Sequence, residues 1–467
     1  TDANGRFDTN VSYWCFGDKP DIYIWVEYMI NGAWTTVYNP PIPCNTLWDY
    51  ACGTNINIHV TDQRIPGDCC CNCELPGELI WIRTIGNANV TRIKQEHLMQ
   101  VAAGQFQTFD RIGLTDFLSN SADYKRPFGS TLSFYMGFGS DLPNSGIYYY
   151  RWRYQQIGRA DLTNVSGSIE YLNNIEIKEY SYEINLGSGN IQAGHDSVTL
   201  GPQAPINGTP YLYIIPPALP SGAPFNKTEQ NPEWYQRTHN TRTISFDSAS
   251  LKNGPMNGGD GLYEFTLELF GQAGNLLTGI ARNNFKVSDD MDENVSVNAP
   301  DKFLANPSAG AADAFKMLVR IDNSKCQCDI FPVNVNGQPG TIDCCGFVNY
   351  KPEGVEAVLD LSFLATHPNN FGELSFNVVK GTCGDVTGTQ ATGMVIDSAG
   401  DYTLSGGIYK KTFTPAALLG SCYENGTGRA AFAETLYVSA MATDGVYRVY
   451  ANDATPYPKI TAFALEP

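Results

Sequence analysis

The 467-residue chain predicts an all-β protein: serial β-sandwich, immunoglobulin-like domains with a few short helices, disulfide-stapled at both ends. Three observations predict it. Short runs alternate apolar and polar residues between Gly, Pro and Asn breakers, as half-buried strands do. Charged residues are only 17% while Gly, Tyr, Asn, Ser and Thr abound, a balance that suits extracellular β-proteins over helical cytosolic enzymes. Thirteen cysteines fall in two clusters, with none between Cys73 and Cys326. Disulfides usually close loops within a domain, so two stapled domains around a cysteine-free one are expected. Their boundaries are read as 1–105, 106–288 and 289–467.

Along the first domain, Phe7, Thr9, Val11 and Tyr13 alternate in an N-terminal arm. Such an arm could complete a neighbour's sheet by strand addition, or pair within its own domain. Asp21 to Ile30 alternates again, Asn31-Gly32 supplies the positive φ angles of a hairpin turn, and Ala33 to Tyr38 returns. Asn55 to Val60 and Leu79 to Ile82 read as further strands, and Leu98 to Ala103 as a weak helix.

In the middle domain, Thr131 to Phe138 and Ile147 to Tyr154 read as strands, and Tyr148, Tyr150, Trp152 and Tyr154 share one face of the second. That row could bind sugar or a second subunit, or lie buried beneath another sheet with Arg151 and Arg153 on the wetter side. Tyr263, Phe265, Leu267 and Leu269 alternate with Glu264, Thr266 and Glu268, as in a strand with one face on a core. The acidic stretch 288–294 reads as an interdomain linker. Within and after it, Asp290, Asp292, Asn294 and Asp301 fall near the spacing of a calcium loop, although Val295 replaces the turn glycine. Calcium is the cofactor this stretch raises.

In the last domain, Leu374, Phe376 and Val378 alternate with polar residues, and Thr435 to Met441 and Ile460 to Leu465 read as strands. The best helix signal is Thr414 as N-cap, Pro415 in the first turn and Gly420 as terminator. Ala311 to Met317 is a weaker helical candidate.

The disulfide candidates are Cys15, Cys44, Cys52, Cys69, Cys70, Cys71, Cys73, Cys326, Cys328, Cys344, Cys345, Cys383 and Cys422. Adjacent cysteines such as Cys344 and Cys345 face opposite sides of a strand, so each should pair elsewhere. The odd total leaves a thiol for a bond between subunits. A soft-metal thiolate site is the alternative, but the paired CxxC spacing of zinc ribbons is missing.

A formal charge of −18 repels phosphate backbones and anionic membranes, so nucleic acid is excluded as a partner. No apolar run reaches the roughly 18–20 residues of a membrane-spanning helix. The chain starts without Met or a leader, as a mature secreted chain would.

Lys19-Pro20-Asp21-Ile22-Tyr23 with Tyr38-Asn39-Pro40-Pro41-Ile42-Pro43-Cys44, then Arg126-Pro127-Phe128-Gly129, then Asp343-Cys344-Cys345-Gly346-Phe347 and Ala430-Ala431-Phe432-Ala433-Glu434-Thr435-Leu436-Tyr437 touch all three regions. Together they resemble uncharacterised, secreted multidomain bacterial proteins with immunoglobulin-like β-sandwich domains. The resemblance implies fold and secretion and transfers no catalytic residue.

Catalytic signals are missing. The histidines, at 59, 97, 195, 239 and 367, are dispersed, with no HExxH pair, GxSxG elbow, phosphate loop or dinucleotide fingerprint. His59 and His367 read as packed or turn residues, and Glu170, Glu176 and Glu179 as strand-face carboxylates rather than a glycosidase pair. The seven Asn-x-Ser/Thr sequons permit glycosylation. The expectation is a non-enzymatic structural subunit of a cell-surface filament or layer, partnered by itself. A secreted carbohydrate-binding module or adhesin that recognises polysaccharide is the runner-up.

Overall fold

The computed structural model describes residues 22–30, 33–39, 46–47, 77–96, 111–117, 124–185, 191–218, 230–233, 241–253, 259–290, 295–343, 346–381, 384–397, 399–424, 428–449 and 458–467. The chain divides into two compact units, Thr1–Asn72 and Cys73–Pro467. No helix among the described residues is long and apolar enough to cross a membrane.

In the first unit, Val26–Ile30 pairs antiparallel with Ala33–Tyr38 in the register Met29↔Trp34, the hairpin the Asn31-Gly32 turn predicts. Ile22–Tyr23 pairs with Thr46–Leu47. Trp25 and Trp34 are exposed. The arm Phe7, Thr9, Val11 and Tyr13, the 55–60 strand and the cysteines from Cys15 to Cys71 lie outside the described residues.

The second unit holds two sandwich-like cores in series. The first uses β1 (Ile80–Ile85), β2 (Thr131–Phe138), β3 (Tyr149–Arg159), β4 (Thr241–Asp247), β5 (Gly261–Phe270), β6 (Phe285–Ser288) and β7 (Ala314–Ile321). One sheet runs β4-β2-β1-β6 with Ser296–Asn298 outside β6; the facing sheet runs β3-β5-β7, flanked by Tyr213–Ile214 and Leu304–Ala305. Alternation drives this: Leu132, Phe134, Met136 and Phe138 of β2 are buried against Tyr150 and Trp152 of β3 and Phe265 and Leu267 of β5. The ring of Phe134 lies 5.1 Å from Trp152 and 5.3 Å from Phe265, so the two sheets meet face to face. Each such burial is worth about 1.5–3 kcal/mol.

Two features of this core were hidden in the sequence. β1 pairs parallel with β6, Ile80↔Phe285, so the sheet is mixed and draws strands from both sides of residues 105 and 288. The acidic stretch after Ser288 joins β6 to its antiparallel neighbour Ser296–Asn298. The helix expected over Ala311 to Met317 is corrected to strand: Ala311–Ala312 and β7 occupy it. Phe315, Met317, Val319 and Ile321 are all buried, a period of two that overrides the helix propensity of the Ala-rich start.

A long hairpin forms a third sheet. Glu176–Asn185 pairs with Ile191–Gly201 from Glu176↔Gly201 to Asn185↔Ile191, and Gln230–Glu233 pairs on the other side. At about 3.4 Å per residue this hairpin is roughly 30 Å long.

The second core uses β8 (Gln327–Ile330), β9 (Leu359–Thr366), β10 (Gly372–Lys380), β11 (Ile408–Phe413), α1 (Pro415–Leu419), α2 (Ser421–Glu424), β12 (Ala430–Ala440) and β13 (Lys459–Glu466). β9 pairs with β8 and β11; β12 pairs with β10 and β13. Phe363 of β9 stacks on Phe376 of β10 at 4.4 Å and on Tyr409 of β11 at 5.0 Å, which locks the two sheets together. α1 starts where predicted: the Thr414 side chain accepts from the Ala417 N–H at 3.3 Å, and Gly420 ends the helix at φ 52°.

The expected disulfide stapling is corrected. None of the three described cysteines, Cys326, Cys328 and Cys422, forms a disulfide. All three are half-buried and pack against the second core as small apolar side chains. Burial pushes the Cys326 thiol up to about 12, so it stays neutral. Cys73, Cys344, Cys345 and Cys383 lie outside the described residues.

Candidate functional site

Four segments meet where the two cores join: a strap over 124–130, the connector after β7, the turn between β9 and β10, and the loop after β12. The strap is shared by both cores. Phe128 donates its N–H to Arg320 O at 2.7 Å and accepts from the Asp322 N–H at 2.8 Å on one side. On the other, Gly129 N donates to Thr443 O and Thr443 N to Pro127 O, each at 2.9 Å. Gly129 permits the approach, because a Cβ there would sit 2.6 Å from Asp322 O. Nearby, the Asn87 N–H reaches Gly445 O at 2.6 Å, and a Cβ on Gly445 would lie 2.0 Å from Ile85 O.

Inside this junction lies a polar cluster in which Asp322, Asn323 and His367 are buried and Asp260, Ser324 and Asn369 half-buried. Asp260 precedes β5, Asp322 follows β7, and His367 and Asn369 follow β9. Asn369 Nδ2 donates to Asp260 Oδ2 at 3.1 Å and to Asp322 Oδ2 at 2.8 Å, so one amide spans two carboxyl groups. The Asn323 N–H donates to Asp260 Oδ1 at 2.7 Å, and the Ser324 N–H to Asp322 Oδ1 at 2.9 Å. The Ser324 hydroxyl donates to Asp260 Oδ2. Asp322 is 2% exposed and His367 4%. Burial, reinforced by the charge of Asp260, pushes Asp322 up to about 7, although Asn369, Ser324 and Arg320 oppose the rise.

Ser324, His367 and the aspartates are the residue types of a hydrolytic triad, but the wiring differs. His367 Nδ1 accepts from the Asn369 and Phe371 N–H groups at 3.2 and 3.1 Å, so the proton sits on Nε2. That nitrogen faces Ser324 O at 3.1 Å and Asp322 Oδ1 at 3.5 Å, whereas a triad needs it on the hydroxyl. Burial holds His367 below the ordinary imidazole range. The cluster is equipped to join elements and to hold a proton.

His367 is thus the packed turn residue its place before Pro368 predicts. Asp260, Asp322, Ser324 and Asn369 escaped sequence reasoning; the only signal was local, the Asp-Asn-Ser run that ends a strand and favours turns.

The other expected site residues lie elsewhere. Tyr150 and Trp152 are fully buried in the first core, Tyr148 and Tyr154 half-buried, and Tyr154 lies 5.9 Å from Phe265. Arg151, on the opposite face, is held by Glu268 and sandwiched between Tyr171 at 4.2 Å and Phe270 at 4.8 Å. Glu176 is buried and accepts from Arg242 and Ser245. Ser168 donates to Glu170. Asp301 is ion-paired with Arg282, and Asp290 lies two residues after the end of β6. Asp292 and Asn294 lie outside the described residues. Among the described residues no three His, Cys, Asp or Glu side chains group as metal ligands.

No protein-family model matches the chain, and no curated protein matches it.

Proposed function

We propose that this chain is a structural subunit of an extracellular filament or surface layer, joined to its copies by strand addition and contacts between subunits. The long hairpin carries the reading. It forms a sheet apart from both sandwiches, and among the described residues its outer strands Ile191–Gly201 and Gln230–Glu233 each have one partner. Such edges present unpaired backbone groups to an added strand, and the N-terminal arm at Phe7, Thr9, Val11 and Tyr13 has the alternation of one. The fastening of two cores through a shared strap supports the same reading, since a subunit under tension needs a stiff body. Extracellular placement rests on composition, not on paired cysteines.

The test is negative-stain electron microscopy and sedimentation of the purified chain, with and without calcium. A variant lacking residues 1–14 and one with residues 180–196 replaced by Asn-Gly accompany it. Polymers of the intact chain that both variants fail to form are expected. Dispersed monomers of the intact chain under every condition overturn the proposal and favour the carbohydrate-binding module.

A further inference from the structure

We propose that the two cores are latched by a single proton held between Asp260 and Asp322, and that the latch loosens as that proton leaves. Burial and proximity favour the proton. Both Oδ2 atoms lie within 3.1 Å of one Asn369 nitrogen, which puts them no more than about 6 Å apart, with Asp322 buried and Asp260 half-buried. Burial of Asp322 and a like charge at that range together disfavour ionisation of both carboxyl groups. Asn369 supplies N–H donors and no charge.

The surrounding groups do not replace it. From the β9–β10 turn, His367 stays neutral because its Nδ1 accepts two backbone N–H groups. From β7, Arg320 favours the Asp322 carboxylate at a distance, and its guanidinium lies over the Phe371 ring at 5.9 Å. From the connector, the Cys326 thiol is neutral. From the loop after β12, Arg448 is ion-paired with Glu373, which also takes Lys125 at 3.2 Å. From the strap, Arg126 Nη1 donates to Met441 O at 3.4 Å.

Each carboxyl also holds the connector in place, Asp260 through the Asn323 N–H and Asp322 through the Ser324 N–H. Asn369 ties both to the second core. Losing the proton sets charge against charge at the point where the connector, β5 and the β9–β10 turn converge. In the open junction Asp322 returns to its ordinary range, so the latched form binds one more proton from about pH 4 up to neutrality.

The test is hydrogen exchange of the full chain, corrected for intrinsic rates, read at the amides of Asn323, Ser324, Asn369 and Phe371. Protection is expected to fall about tenfold per pH unit from about pH 4 to neutrality and then to level off. D322N, which keeps a neutral side chain there, should remove the slope. D260N, which removes the like charge but not the burial, should end the slope at lower pH, and in the E434Q background a protonated-carboxyl infrared band should vanish as pH rises through about 7. Three results overturn the proposal: pH-independent protection in the unmodified chain, a slope unchanged in both aspartate variants, or a slope abolished by His367→Gln alone.

Discussion

Glu434 and Thr461 face each other across β12 and β13, and the hydroxyl of Thr461 donates to Glu434 Oε2 at 2.8 Å while Oε1 has no hydrogen-bond partner among the described residues. The carboxyl projects from the core-facing row of β12, between Phe432 and Leu436, and is 2% exposed. Burial pushes it up to about 7. With a folded value above the unfolded one, its contribution is complete below about pH 4.5 and is lost as pH rises through about 7. The span amounts to about 3 kcal/mol. E434Q should flatten this fall and raise stability at mildly alkaline pH, as urea unfolding on either side of neutrality would show. An unchanged pH dependence would refute the assignment.

Arg92 reaches Asp116 Oδ2 through Nε at 3.2 Å and Nη2 at 2.8 Å, and the Asp116 side chain is 2% exposed. Its Oδ1 has no hydrogen-bond partner among the described residues. R92M leaves a buried carboxylate without its counter-charge and should cost about 3 kcal/mol. Adding D116L should restore most of that loss, so a denaturation cycle over the four proteins decides it.

Gly445 has φ 89° and its missing Cβ would strike the carbonyl of Ile85. G445A must therefore push apart a pair of loops that belong to different cores. A loss of about 2–4 kcal/mol is expected, together with faster exchange at the Asn87 amide, whose acceptor is Gly445 O. Full retention of both would mean that the loops yield freely.

Thr414→Ala removes the N-cap of a five-residue helix whose Leu418 and Leu419 are buried. The expected cost is about 1 kcal/mol. Exchange at the Ala417 amide should rise while β12 is unaffected; equal change in both would point to global unfolding instead.

Several strands with one buried face were legible, though others, such as Leu359–Thr366, went unread. Thr131–Phe138 matches its sequence pattern residue for residue, and Tyr150, Trp152 and Tyr154 do share one face, because period-two alternation is a local signal. The Thr414 cap was legible for the same reason. Ala311 to Met317 misled because alanine propensity outweighed a short alternation. The junction was invisible, since Asp260, Asp322 and Asn369 come together only through pairing and carry no spacing. Disulfides were inferred from the number, clustering and spacing of the cysteines and from an extracellular composition, none of which tells an apolar packing role from a cross-link.

The parallel pairing of β1 with β6 sets the order of events during synthesis. β1 is followed by about 200 residues before its partner Phe285 exists. At roughly 5–20 residues per second the ribosome needs about 10–40 s to supply it. Throughout that interval β1, apolar on its core face, is a nascent strand with an open side. A chaperone or a slow crossing into another compartment would protect it there, and the first core can close only near the end of translation of its own last strand, β7.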